Sequence, residues 1–257
     1  MRLSARALAF GFPGRVVGRD LDLEIAPGEV VCLLGPNGGG KTTLMRTLLG
    51  VIASLGGEVW LGERRIGDWL PHERARRVAY VPQAAESYFD FSVMEMVEMG
   101  RSAYRGAFGS PSNADRAASA TALERLGIAH LAGRPIHEVS GGERQLVLVA
   151  RALATGAEIL VMDEPTANLD FGNQALILAE IGRLRETGKT VLLSTHQPDH
   201  AYRVADRALL LREGCVAALG PVASVLTSEA LTALFGRPVE VLAVETAAGT
   251  RRVCVPS

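Results

Sequence analysis

The stretch VVCLLGPNGGGKTT, Val30 to Thr43, limits this chain more than any other part of it. Five apolar residues in a row, Val30 to Leu34, read as a short strand buried on both faces, the kind found inside parallel sheets. Four glycines then fall between Gly35 and Gly40, followed at once by Lys41, Thr42 and Thr43. Glycine gives up more backbone freedom on folding than any other residue, so a cluster like this needs a reason. Lysine is also rare here: Lys41 and Lys189 are the only two in 257 residues.

The spacing supplies the reason. Gly35 to Thr42 reads G-x-x-x-x-G-K-T, set between the strand and a helix expected over Thr42 to Leu49. Backbone N–H groups converge on a polyphosphate only where the chain curls tightly and carries little side-chain bulk, as around Gly35, Asn37, Gly38 and Gly40. The helix N-terminus adds partial positive charge. Lys41 then reaches the β- and γ-phosphates of a nucleoside triphosphate, the Thr42 hydroxyl can hold Mg²⁺, and Thr43 can donate to the α-phosphate.

Two later stretches carry matching chemistry. ILVMDEP, Ile159 to Pro165, is an apolar strand ending in two carboxylates. Asp163 would orient Mg²⁺ through water, and Glu164 would polarise an attacking water as general base. VSGGERQ, Val139 to Gln145, opens a helix: Ser140 and Glu143 have the spacing of a capping box. Gly141 and Gly142 are poor helix residues, and two of them at a helix start suit a backbone that must approach a ligand. This is a second anion-binding helix N-terminus, too far along the chain to belong to the first loop.

The remaining sequence alternates strand and helix patterns. DLDLEI, Asp20 to Ile25, is a half-buried strand with Leu21, Leu23 and Ile25 on one side. EVWL, VAYV, KTVLLST and RALLLREG read as strands. PHERARR reads as a helical turn, Leu146, Val149, Ala150 and Leu153 form one helix face, and Ile177, Ile181 and Leu184 another. From Phe91 to about Val139 the pattern is helical throughout, with a loop marked by Gly106, Gly109, Ser110 and Pro111. PDHAYRVA and SEALTALFG read as further helices, and the last twenty or so residues as a small strand-rich tail. This order predicts an α/β fold with a parallel or mixed sheet covered by helices.

With a net charge of −1, the chain has no general field for nucleic acid or anionic lipid. Cys32, Cys215 and Cys254 lack metal-ligand spacing and read as buried or incidental thiols. The N-terminus shows no secretory pattern, and no apolar run approaches the roughly 20 residues of a spanning helix. The chain is expected to be soluble by itself, held at a membrane only by another chain.

Taken together, these residues resemble the ATP-binding-cassette family, specifically its nucleotide-binding subunits, over the whole chain to about Phe235. GPNGGGKTT looks like Walker A, VSGGERQ like the family signature and ILVMDEP like Walker B. Gln83 in VAYVPQ looks like the Q-loop glutamine, Asp170 in ANLD like the D-loop aspartate and His196 in LLSTH like the switch histidine. Phe12, with Phe10 close by, sits where the family places an aromatic ring on adenine. Val139 stands where Leu is usual, Glu143 where Gln is common and Gly39 where Ser is usual; none of these removes a required backbone donor.

The resemblance implies a P-loop ATPase core with a mixed sheet and an antiparallel β subdomain over 1–90 and 140–236, a helical insertion over 91–139 and a short tail over 237–257. It implies ATP and Mg²⁺, with Gln83 joining Thr42 and Asp163 at the metal. It implies a homodimer in which ATP lies between Walker A of one copy and Ser140, Gly141, Gly142 and Glu143 of the other, with Glu164 and His196 acting on the water and the γ-phosphate. Integral-membrane permease subunits and, indirectly, a solute-binding protein would be partners, at the cytoplasmic face of the cell membrane; nucleic acid would not. VAYVPQ, FSVMEMVEMGR and THQPDHA are similar to importers of iron–siderophore, haem, vitamin B12 and related metal chelates. An exporter subunit would share every motif, and a non-transport cassette acting on DNA, the ribosome or iron–sulfur assembly is a third reading.

Overall fold

The structure is a computed structural model and describes residues 1–83, 90–105, 109–247 and 249–256. In chain order the elements are β1 (Leu3–Phe12), β2 (Arg15–Ile25), β3 (Val30–Leu34), α1 (Lys41–Leu48), β4 (Gly56–Leu61), β5 (Arg64–Arg65), α2 (Pro71–Arg77), β6 (Val78–Val81), α3 (Val93–Glu98), α4 (Asn113–Arg125), α5 (Gly141–Ala154), β7 (Ile159–Met162), α6 (Phe171–Glu186), β8 (Thr190–Thr195), α7 (Pro198–Val204), β9 (Arg207–Arg212), β10 (Cys215–Pro221), α8 (Val222–Val225), α9 (Ser228–Phe235), β11 (Val239–Thr246) and β12 (Gly249–Pro256). They group into two compact units, Met1–Asp68 with Arg185–Ser257, and Trp69–Leu184.

In the first unit β3 runs parallel to both β8 and β9, with Leu34 beside Thr195 and Leu210. All five residues of β3 and all six of β8 are buried, which is why both segments read as continuous apolar or small-residue runs. β10 lies antiparallel on β9. A separate antiparallel sheet has the order β2-β1-β4-β5. Its β2 buries Leu21, Leu23 and Ile25 and exposes the residues between, as the alternation predicts. The tail forms the hairpin β11–β12.

Two strands of this unit have no clear sequence pattern. β1 departs from strict alternation because its pairing with β2 shifts register at three places, and Ala7 takes a left-handed φ of 44°. β10 is a half-exposed strand rich in small residues. The aromatic pair at the end of β1 is divided by burial. Phe10 is completely buried, and its ring lies so close to Gly18 that a methyl group there would meet it at 2.4 Å. Phe12 is 47% exposed.

In the second unit β6 and β7 pair in parallel. α5 packs on α3 and α4, and α6 buries Ile177, Ile181 and Leu184. The expected helices of 91–139 are present as α3 and α4, and a 3-10 segment over Met99–Tyr104 continues α3. Gly106, part of the expected loop, lies outside the described residues. Ser92 with Glu95, and Ser112 with Asp115, close capping boxes like that of Ser140 with Glu143. Arg101 Nε donates to Asp115 Oδ1 at 2.9 Å and stacks on the Tyr104 ring, tying the 3-10 segment to α4. That guanidinium, with the Ser112 hydrogen bonds, holds the Asp115 carboxyl down to about 2. No helix among the described residues is long and apolar enough to cross a membrane.

Burial predicts opposite outcomes for the two phenylalanines. Phe10→Ala should cost about 3–5 kcal/mol of stability in denaturant unfolding, whereas Phe12→Ala should change it by under about 0.5 kcal/mol. Equal losses would contradict this division of labour.

Candidate functional site

The glycine-rich loop leaves β3 between two close neighbours. A methyl group on Gly35 would stand 2.5 Å from the Leu211 carbonyl oxygen of β9, so the backbone passes where no side chain fits. Gly40 caps α1 with φ 92°, and a methyl group there would meet Val17 at 2.6 Å and the Phe10 ring at 3.4 Å. Left-handed backbone and lack of space both require glycine. Asn37 and Gly38 are exposed at the loop's tip, Gly39 N–H closes a turn onto Pro36 O at 3.1 Å, and Thr42 and Thr43 are half-buried in the first helical turn. Lys41 is buried, and its Nζ donates to Gly35 O at 2.8 Å and Pro36 O at 3.2 Å. The loop carbonyls thus hold the ammonium inside the loop's own curl.

Strand register brings His196 to this loop. Leu34 and Thr195 are paired on β3 and β8, so Gly35 and His196 each leave the sheet one residue later, at the carboxyl ends of adjacent parallel strands. Open α/β sheets place ligands at that edge. His196 is exposed.

The second unit repeats the arrangement. Val81 pairs with Met162, and Asp163 N–H donates to Val81 O at 2.8 Å. Gln83, exposed, and the buried carboxylates Asp163 and Glu164 therefore leave β6 and β7 side by side. Tyr80 OH lies 3.4 Å from Asp163 Oδ2 as a donor, a contact with no signal in the sequence beyond an aromatic ring on a strand. Glu164 has a left-handed φ of 46°, and Ala167 N–H closes a turn onto its carbonyl at 3.0 Å. Such backbone costs a non-glycine residue roughly 1–3 kcal/mol and clusters at functional positions.

Ser140 caps α5, its hydroxyl accepting from Glu143 N–H at 3.2 Å while Glu143 accepts from Ser140 N–H at 2.8 Å. Donation from the Ser140 backbone N–H, and after it from the Ser140 side chain, holds the Glu143 carboxyl below its ordinary pKa. A methyl group on Gly142 would rest 3.4 Å from Leu169, so the turn packs on the segment ending at Asp170. Asp170 in turn caps α6, accepting from Asn173 N–H at 2.8 Å. Gly141 is different: it is exposed, and nothing lies within 4 Å of where its side chain would be. Packing does not require glycine there, and glycine is a poor helix former. Gln145, fully buried one turn on, finds no hydrogen-bond partner for its amide among the described residues.

Each unit carries oxygen donors of the kind that Mg²⁺ takes together with substrate phosphates: the Thr42 hydroxyl in the first, the Gln83 amide oxygen and the Asp163 carboxylate in the second. Among the described residues no cluster of three or more His, Cys, Asp or Glu offers a metal cage made by protein alone.

A family model described as ABC transporter matches residues 19–167, more than half of the chain. The hemin import ATP-binding protein HmuV of Streptomyces coelicolor is 40% identical over 93% of this chain and 84% of its own length. The iron(3+)-hydroxamate import ATP-binding protein FhuC of Bacillus subtilis is 36% identical over 93% of this chain and 90% of its own. Among solved structures, a metal-chelate type ABC transporter in an inward-facing conformation superposes with a TM-score of 0.87, at 32% identity, covering 99% of this chain and 97% of that one.

The turn that carries His196 rests on a second histidine. Gln197 N–H donates to Thr195 Oγ1 at 3.1 Å, and the same hydroxyl shares a hydrogen bond with Nδ1 of buried His200, also at 3.1 Å. Burial lowers the pKa of His200, with His196 and Arg203 adding to the effect and Asp199 opposing it. A histidine depressed in the folded state binds more protons when unfolded, so its contribution is complete above about pH 6.5 and declines as pH falls. Melting temperature should therefore drop between about pH 7.5 and 5.5, and drop less in His200→Gln. Identical pH dependence in the two proteins would show that His200 does not carry the effect.

Proposed function

The chain belongs to the ABC transporter family, and on that premise we propose that it is the ATP-hydrolysing subunit of an importer that takes up a metal chelate, of the iron–siderophore, haem or cobalamin kind, through a partner permease. The observation that carries the import reading is likeness along nearly the full chain to ATP-binding subunits of hemin and iron-hydroxamate import.

The proposed roles follow from position and chemistry. The backbone of Gly35, Asn37, Gly38 and Gly40 cradles the phosphates, Lys41 offsets their charge, and Thr43 donates to the α-phosphate. Phe12, exposed where Phe10 is buried, stacks on adenine. Mg²⁺, held by Thr42, Gln83 and Asp163, would neutralise charge on the terminal phosphates. Glu164 accepts the proton of the attacking water, and His196 holds the γ-phosphate oxygens. Two copies pair, and Ser140, Gly141, Gly142 and Glu143 of each, with Asp170 beside them, close the nucleotide site of the other. The open space at Gly141 supports that reading, because the fold itself has no use for a glycine there.

The chain is associated with the membrane through its permease, and we place it at the cytoplasmic face, with a solute-binding protein as an indirect partner. The proposed organisation is a nucleotide-binding core over 1–90 and 140–236, a helical subdomain over 91–139 and a tail over 237–257.

Glu164→Gln should keep ATP affinity and lower hydrolysis by about 10²–10⁴-fold, the usual contribution of a general base; near-normal turnover would show the base lies elsewhere. Lys41→Ala should weaken ATP binding itself. Reconstituted with its permease, the chain should drive ATP-dependent uptake of a ferric siderophore or haem into vesicles loaded by that route. Movement in the opposite direction would overturn the import reading.

A further inference from the structure

A cleft of about 550 Å³ lies on the first unit, bounded by α7, the start of α8 and the outer edge of β12. Its volume is in the range of small-molecule sites. Four charged side chains line it, Asp199, Arg203, Arg251 and Arg252, so the lining carries an excess of two positive charges in a chain whose net charge is −1. Arg203 and Arg251 form no ion pair with any described residue. Arg252 is held in place: it donates to Ala223 O at 3.2 Å, and its guanidinium lies 5.8 Å from the centre of the Tyr202 ring.

The edge of β12 adds backbone donors. In an antiparallel pair, residues alternate between those bonded to the partner strand and those whose N–H points outward. Cys254 N–H points outward, because it donates to Asp199 Oδ1 at 2.8 Å. The alternation then turns Arg252 and Thr250 outward as well, along the same edge and into the cleft, where no described residue accepts from their N–H groups. On the opposite edge of the hairpin, Val241 and Val239 N–H donate to Ser228 and Thr232, in the same phase. The protein's own carboxylate therefore already occupies the first donor of a row, and the next two lie in a cleft lined by three arginines.

We propose that this cleft binds a small water-soluble polyanion bearing carboxylate or phosphate groups. Separate anionic groups take the Arg252 and Thr250 N–H donors, two residues apart on the strand edge, each as Asp199 takes that of Cys254, and Arg203 and Arg251 pair with the ligand's charges, the guanidinium fork suiting either group. The ligand bridges the C-terminal hairpin to α7, the helix that begins two residues after His196, which joins the tail to the segment carrying the site's histidine.

Citrate is a direct probe. Calorimetric titration in magnesium-free buffer should give saturable binding of one citrate per chain. Affinity should fall at least about tenfold in the exposed double variant Arg203→Gln/Arg251→Gln, a loss equal to about 1.4 kcal/mol. It should be unchanged in Lys41→Ala, where the phosphate loop is impaired. Absence of saturable binding, equal affinity in the double variant, or loss in Lys41→Ala would each overturn the assignment, the last by placing the anion on the glycine-rich loop.

Discussion

The structure depends on one close passage of backbone. Between β3 and α1 the chain runs against the Leu211 carbonyl at Gly35, then turns left-handed against Val17 and Phe10 at Gly40. No residue with a side chain fits at either point. What results is a tight curl of peptide groups at a helix N-terminus, with the Lys41 ammonium held inside by loop carbonyls. Phe10 is buried with its ring against Gly40, while Phe12, two residues on, is left exposed.

Parallel register extends the arrangement. A strand that pairs in register with its neighbour ends beside it, so residues distant in sequence emerge together: His196 beside Gly35, and Gln83 beside Asp163 and Glu164. The supporting contacts are of two kinds. Some are ordinary structural closure, as with the caps made by Ser140 and Asp170. Others have no local benefit. Glu164 holds a left-handed backbone that a glycine would adopt more easily, and Gly141 occupies a helical position although glycine is a poor helix former. Both are departures from local preference, of the kind that folds tolerate at functional positions.

Much of this was legible in the sequence because its signals are local. A fully buried parallel strand must be apolar along its length, so VVCLL and ILVM declared themselves, and the helix faces of α5 and α6 follow from spacing. What sequence could not give depends on tertiary contact. β1 is interrupted by register shifts and a left-handed alanine, and β10 is half-exposed and short of large apolar residues. Tyr80 beside Asp163, and Thr195 with His200 beneath His196, involve residue types that look ordinary one at a time. Buried His200 hydrogen-bonds Thr195 at the turn from which His196 leaves the strand.

The central claim is that this ATPase powers import through a membrane permease. The most direct test is to purify the tagged chain from its native membranes with a non-hydrolysable ATP analogue and identify what accompanies it by mass spectrometry. The account predicts a polytopic permease in stoichiometric amount. Recovery of soluble partners alone, with no integral-membrane protein, would contradict it.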